Sequence, residues 1–356
     1  MSLTLAQTNE IVASTMEKYE TELINQTIMA TPTWEWFLRS PRRKTLSGGY
    51  RIRLPVIRQN SDNFMWFGMG DTFNPQRQEI LGWSYATIKQ GAGDVTLEYL
   101  ELLQNSGEGQ FVSLLEAKIG EVEQTVKQNL NTVVWGDGTE HGGKSPVGLT
   151  GHISTSPATG TYLGWSRATE YWTRPWFWNN VNYGPHPKDQ DPSGGTSLQP
   201  VGAMINLTSH YPTIWTNLTS LWNGCVTQGD DVNGIFFITD LATHEWYEQI
   251  PARCPGFEIP SYEGTFNSGI TNITYKKRPI MWDTVENGAP SGELRLVNSN
   301  YMVMYVDSSN FFKWTDWRSP YDALVQAKFL LVRFALVDLM PSKHGLLTGI
   351  TAPATP

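Results

Sequence analysis

Residues 138–145, Gly-Thr-Glu-His-Gly-Gly-Lys-Ser, match the G-x-x-x-x-G-K-S spacing with which nucleotide-binding proteins cradle phosphates. That chemistry needs a strand before the loop and a helix after it, so that backbone amides and a helix N-terminus face the anion. Here a long helical pattern precedes the loop, and Pro146-Val-Gly-Leu-Thr-Gly starts no helix. A glycine-rich helix exit is the better reading. His244-Glu245 sits in a helical stretch, but the zinc-protease spacing requires a second histidine where Glu248 stands. The six histidines (141, 152, 186, 210, 244 and 344) show no ligand spacing. Cys225 and Cys254 allow one disulfide at most and no structural zinc. Gly-x-Ser-x-Gly is missing, and neither cysteine lies in a nucleophile signature. The expectation is a protein with no catalytic residues, no metal and no cofactor.

A second constellation is electrostatic. Residues 39–58 carry seven basic side chains and no acid. Arg42, Arg43, Lys44, Arg51, Arg53 and Arg58 from this run could grip a phosphate backbone or meet an acidic protein surface. Such a surface exists in the same chain: Glu101, Glu108, Glu116, Glu121 and Glu123 follow Asp94 and Glu98, with Lys118 the only basic residue among them. A basic arm and an acidic helix in one chain are complementary between copies, and contact between copies is the favoured reading. Trp165, Trp172, Trp176 and Trp178 could form a sugar platform, although aromatic surfaces more often serve packing or subunit contacts.

The elements that must position these groups are legible in outline. Ile11, Val12, Thr15, Met16, Tyr19, Leu23 and Ile24 recur at helical spacing, Pro32 is expected to stop that helix, and the aromatic patch Trp34, Trp36 and Phe37 follows. Tyr50, Ile52, Leu54 and Val56 alternate with Arg51, Arg53 and Pro55, and residues 81–88 alternate again. They predict a long two-stranded arm with a loop tip at 59–80, and an isolated hairpin needs another surface to lie on. Phe111, Leu115, Ile119, Val122, Val126, Leu130 and Val133 predict a helix over 108–135, ended by Gly136-Asp137-Gly138. Residues 212–226 read as a helix, 234–238 as a buried strand and 241–250 as a helix, a β-then-α order that signals a mixed domain. Segments 279–283, 294–298, 301–306 and 324–339 read as strands, and a Gly/Pro/Thr tail closes the chain.

The 356 residues suggest two to three units, and a net charge of 26 − 34 = −8 argues against a general nucleic-acid binder. Charged residues make up only 17% while aromatics reach 12%, including 15 Trp, which suggests either extensive packing between subunits or a ligand platform. The longest apolar stretch, 329–340, is interrupted by Arg333 and Asp338, so no membrane span is expected. The first residues have no basic region followed by an apolar one, so no export is expected.

In order and spacing the parts resemble the major capsid proteins of tailed double-stranded DNA bacteriophages, the HK-ninety-seven-like family. The likeness rests on Lys44-Thr-Leu-Ser-Gly-Gly49 entering the hairpin, Glu101-Leu-Leu-Gln-Asn-Ser-Gly107 before the long helix and Leu114-Leu-Glu-Ala-Lys-Ile119 within it. Trp135-Gly-Asp-Gly-Thr139 with Gly142-Gly-Lys144 follows at the helix exit, and Leu346-Leu-Thr-Gly-Ile350 comes near the end. The resemblance implies an α+β capsid fold with an N-terminal arm (1–40), an extended loop (41–92), a peripheral domain with a spine helix (93–140 and 311–356) and a mixed axial domain (141–310). It implies self-assembly into pentamers and hexamers of an icosahedral head that encloses double-stranded DNA without sequence-specific binding, assembled in a bacterial cytoplasm. It further implies a separate scaffolding protein, a portal and decoration proteins as partners. The same architecture serves encapsulin-like nanocompartments. From a different class, a Trp-rich carbohydrate-binding or hydrolytic protein is the competitor.

Overall fold

The computed structural model describes residues 31–39, 43–57, 64, 66–72, 79–98, 114–170, 173, 175–179, 212–226, 230–253, 274–319 and 325–350. The N-terminal helical arm before residue 31 and most of the 155–200 segment beyond 170 lie outside them. The chain divides into two compact units. Among the described residues, the first holds 93–98, 114–126, 314–319 and 325–330, and the second holds the rest.

Pro32 opens a helix, α1 (Pro32–Arg39), and the expected helix before it lies outside the described residues. Proline lacks only an N–H that the first helical turn leaves unbonded anyway, and its fixed φ suits that position. Trp34 and Phe37 are buried in the chain's own core. The Trp34 ring lies 5.3 Å from that of Phe334 and just over 6 Å from Phe311 and Phe312.

A six-stranded sheet forms the centre of the second unit. Its strands are β7 (Trp176–Asn179), β14 (Gly345–Thr348), β11 (Leu294–Asn298), β8 (Ile235–Asp240), β10 (Arg278–Asp283) and β9 (Thr274–Tyr275), in that spatial order. From β8 the chain runs through helix α4 (Leu241–Arg253) and returns to β10, parallel to β8. This is the β-then-α order read from the sequence, completed by a parallel strand.

Every residue of β8 is buried, because both faces of the sheet are covered. On one face Ile235, Phe237, Ile280, Leu294, Leu296 and Leu347 pack with Leu218, Leu221 and Cys225 of helix α3 (Pro212–Cys225) and with Trp246 and Tyr247 of α4. On the other, Phe236 meets Trp36 of α1 with ring centroids 3.7 Å apart. The fully buried Arg295 is 5.3 Å from the Trp135 ring and is neutralised by Glu293 at 2.7 Å.

Residues 345–348, expected to belong to an irregular tail, form the inner strand β14. Gly345 permits this, because a Cβ there would come within 2.6 Å of Cys225 Sγ and Leu221 Cδ1. The two Leu residues that follow then supply one core side chain to each face.

The predicted long helix is α2 (Leu114–Trp135), and residues 108–113 of the expected span lie outside the described ones. In the first unit it meets β4 (Lys89–Glu98), a strand absent from the sequence reading. Gly93 of β4 lies so near that a Cβ would stand 2.5 Å from Val126 Cγ2, and Lys118 Nζ reaches the carbonyl oxygen of Thr96. In the second unit the end of α2 is tied down by Asp283. Its carboxylate accepts from Thr33 Oγ1 (2.5 Å), Asn131 Nδ2 (2.8 Å), Trp135 Nε1 (3.0 Å), the Thr284 backbone N–H (2.8 Å) and Asn287 Nδ2 (2.8 Å). Asn131 Oδ1 in turn accepts from the Trp34 backbone N–H. One buried carboxylate therefore joins α1, α2 and β10. A further sheet has the order β1 (Lys44–Leu46), β12 (Met302–Trp314), β13 (Val325–Asp338), β4.

Candidate assembly interface

The predicted arm is a separate two-stranded sheet of β2 (Arg51–Ile57) and β3 (Leu81–Thr87), antiparallel, with Ile52 opposite Ala86 and Arg53 opposite Tyr85. Alternation gives it two faces. Inward, Ile52 and Ala86 join Ile88, Val303, Tyr305, Ala335 and Val337 in one cluster, so the arm's base rests on its own chain. Ser84 Oγ accepts from Trp165 Nε1 at 3.0 Å, and the Tyr85 backbone N–H donates to the Leu163 carbonyl at 3.2 Å. At the base, Arg333 bonds both Asp307 (2.6 Å) and the carbonyl oxygen of Gly49.

Outward, Arg51, Arg53, Pro55 and Ile57 stand opposite Thr87, Tyr85, Trp83 and Leu81. Arg53 lies 3.9 Å from the Trp83 ring centre, and Arg51 lies 5.3 Å from that of Tyr85. Ile57 and Leu81 are 69% exposed. At the tip Trp66 is 87% exposed and Met69 fully so, with Phe64 and Phe67 beside them in sequence and also exposed. Large apolar and aromatic groups held in solvent around arginines have the composition of an interface centre. No ion pair among the described residues involves Arg51 or Arg53.

The other expected site residues divide as follows. Arg43 and Lys44 are exposed, and Lys44 Nζ lies 5.8 Å from the Tyr305 ring centre. Arg42, Arg58, Glu101 and Glu108 lie outside the described residues, and Glu116 falls in the first turn of α2. Glu121 is exposed and accepts from Thr125 Oγ1 at 3.3 Å. Glu123 is half-buried and accepts from Trp314 Nε1 at 3.2 Å. The sequence reading listed charges only and missed Trp83, Tyr85, Phe64, Trp66, Phe67 and Met69. Their signal was present: Trp83 and Tyr85 share the register phase of the arginines.

The motifs weighed for enzyme chemistry are built as follows among the described residues. In the 138–145 loop, the Asp137 and Gly138 backbone amides donate at 2.9 Å to the Glu140 carboxylate, which fills the place a phosphate would need. His141 and Gly142 there are left-handed, so no helix starts. His244 is buried, and no group of metal-ligating side chains occurs among the described residues. Cys225 is buried, and desolvation pushes its thiol far up, which leaves it unreactive. Trp165 is committed to Ser84, and Trp172 lies outside the described residues.

The whole chain has the fold of phage-type capsid shells. The capsid protein of cyanophage A-1(L) matches with a TM-score of 0.63 over 96% of this chain and 99% of that one, at 14% identity. A gene transfer agent capsid matches with a TM-score of 0.57 over 98% and 100%, at 9% identity. The SrpI encapsulin of Synechococcus elongatus matches with a TM-score of 0.58 over 99% of each chain, at 10% identity. No protein-family profile and no curated protein matches the sequence.

Proposed function

We propose that this chain is the major capsid protein of a tailed bacteriophage, a shell subunit that assembles into pentamers and hexamers around double-stranded DNA. The observation that carries the reading is the arm: on a fold used for shells, it holds an aromatic and cationic face and an apolar tip in solvent. Heterologous contacts of that kind close into rings when the rotation fits. In this reading residues 1–40 are an N-terminal arm and 41–92 the extended loop. Residues 93–140 and 311–356 make the peripheral domain and 141–310 the axial domain, to whose sheet β14 returns. Arg42, Arg43, Lys44, Arg51, Arg53 and Arg58 meet Glu101, Glu108, Glu116, Glu121 and Glu123 of a neighbouring copy. The role is mechanical rather than catalytic, its place is the virion, and a scaffolding protein and portal complete assembly in the host cytoplasm. The encapsulin likeness supports a second reading, a nanocompartment shell, at a comparable TM-score.

The test is to express the chain alone and with its neighbouring genes, then measure light scattering and negative-stain images. Five- and six-fold rings or uniform closed shells are expected. A stable monomer under both conditions overturns the proposal. Shells that require a scaffold and portal favour the phage reading, and shells that enclose an enzyme favour the nanocompartment.

A further inference from the structure

His152, Tyr162, Arg167, Asp338 and His344 form one cluster, each 3% exposed or less. Ionisable groups so far from water must be balanced or kept neutral. Hydrogen bonds assign the protons. Nε2 of His152 lies 3.1 Å from the Leu336 carbonyl oxygen, so it carries the hydrogen and donates, while Nδ1 is buried without a partner. Nδ1 of His344 accepts from the Asn298 backbone N–H at 3.1 Å, which puts that ring's hydrogen on Nε2; Nε2 lies 3.1 Å from Asp338 Oδ1 without hydrogen-bond alignment. The same Oδ1 accepts from the Met340 backbone N–H, Oδ2 has no partner, and the Asp338 carbonyl oxygen accepts from the Tyr162 hydroxyl. Arg167 donates to the carbonyls of Gly151 and His152 and lies 5.5 Å from the Tyr162 ring centre.

The Asp338 carboxylate thus touches one imidazole, that of His344, and acts on His152 and Arg167 only as a nearby charge. A proton added to His152 must go to Nδ1, where no acceptor waits and Arg167 is already charged nearby. Burial, reinforced by Arg167 and His344 against the pull of Asp338, pushes this imidazole down to about 4.

We infer that the cluster is a proton-operated lock, closed while His152 is neutral, whose opening in weak acid frees residues 149–167 from the end of β13. The freed segment is the one that braces the arm: its Leu163 carbonyl and Trp165 indole hold Tyr85 and Ser84 of β3. The lock is a property of the single chain. Its consequence, slackened contacts between copies in acid, rests on the shell reading.

The sign follows from linkage. Once open, His152 regains the ordinary imidazole value near 6.5. A base depressed in the folded state contributes its full stability above that value and loses it as pH falls from 6.5 toward 4. The opening constant at pH 5 should therefore exceed that at pH 7 by about twentyfold.

Amide hydrogen exchange on the full-length chain at pH 7 and pH 5, corrected for intrinsic rates, reads this directly. Peptides over 149–167 and 336–348 should open about twentyfold more at pH 5, while the β8 peptide stays constant. His152→Gln keeps an amide donor for the Leu336 carbonyl and should remove the pH dependence. Equal opening at both pH values, or an undiminished dependence in H152Q, overturns the lock. Should H152Q not fold, ring C2-hydrogen exchange of the wild-type histidines decides. His152 titrating near 6.5 in a closed corner overturns the lock, and His152 staying neutral until the corner opens supports it. A chain that shows the lock but forms no shell keeps the lock and loses the shell reading.

Discussion

Arg51 and Arg53 are pre-positioned on aromatic rings, which lowers the side-chain entropy lost when a partner docks. The double variant Arg51→Glu with Arg53→Glu should abolish rings and shells while leaving the denaturation midpoint of the subunit within about 0.5 kcal/mol of the parent, as for other exposed positions. Normal shells from it would sink the proposed pairing with an acidic neighbour. Asp283 is the opposite case, a residue that matters inside one chain. Asp283→Ala would leave five donors without their acceptor, and each buried unsatisfied group costs about 1–3 kcal/mol. Urea denaturation should show a loss of about 3 kcal/mol or more, or no folded chain at all.

At the scale of elements, the arm and the six-stranded sheet answer to different forces. The arm's inner face is anchored by Ile52 and Ala86, while its tip residues Phe64, Trp66, Phe67 and Met69 touch solvent. Trp66→Ser with Met69→Ser should therefore leave thermal unfolding of the unassembled subunit unchanged and reduce assembly yield by light scattering, since only a neighbour can cover them. In the sheet, Gly345→Ala would drive a methyl into Cys225 and Leu221. Overpacking of this kind costs about 1–3 kcal/mol, seen as a lower unfolding midpoint.

For the whole molecule, a subunit that leaves so much aromatic surface in water should gain stability from its copies. Folding and assembly are then linked by mass action, and the apparent unfolding temperature should rise with protein concentration. A concentration-independent midpoint across a hundredfold range would argue for a self-sufficient monomer. Since the proposed contacts pair arginines with glutamates, added salt should slow ring formation; exposed charges are screened beyond about 8 Å at physiological ionic strength.

Period and punctuation made much of this fold readable. Alternation through 50–56 and 81–88 fixed both the existence of the arm and which side its arginines take, because a strand's side chains change face at every residue. The apolar stripe ending at Gly136 marked the long helix, and Ile235 to Ile238 marked a strand buried on both faces. The fold class was legible from the order of parts. What stayed hidden depends on contacts between residues far apart in the chain. Pro32 starts a helix because Asn131, 97 positions away, takes the Trp34 amide. Residues 345–348 become an inner strand because β11 and α3 leave a slot that only a glycine-led strand fits. Trp34 and Trp66 are alike in sequence, yet one is sealed in the core and the other stands in water. Local spacing sets secondary structure and its polarity, but burial, proton placement at His152 and the choice of exposed aromatics are decided when distant segments close around them.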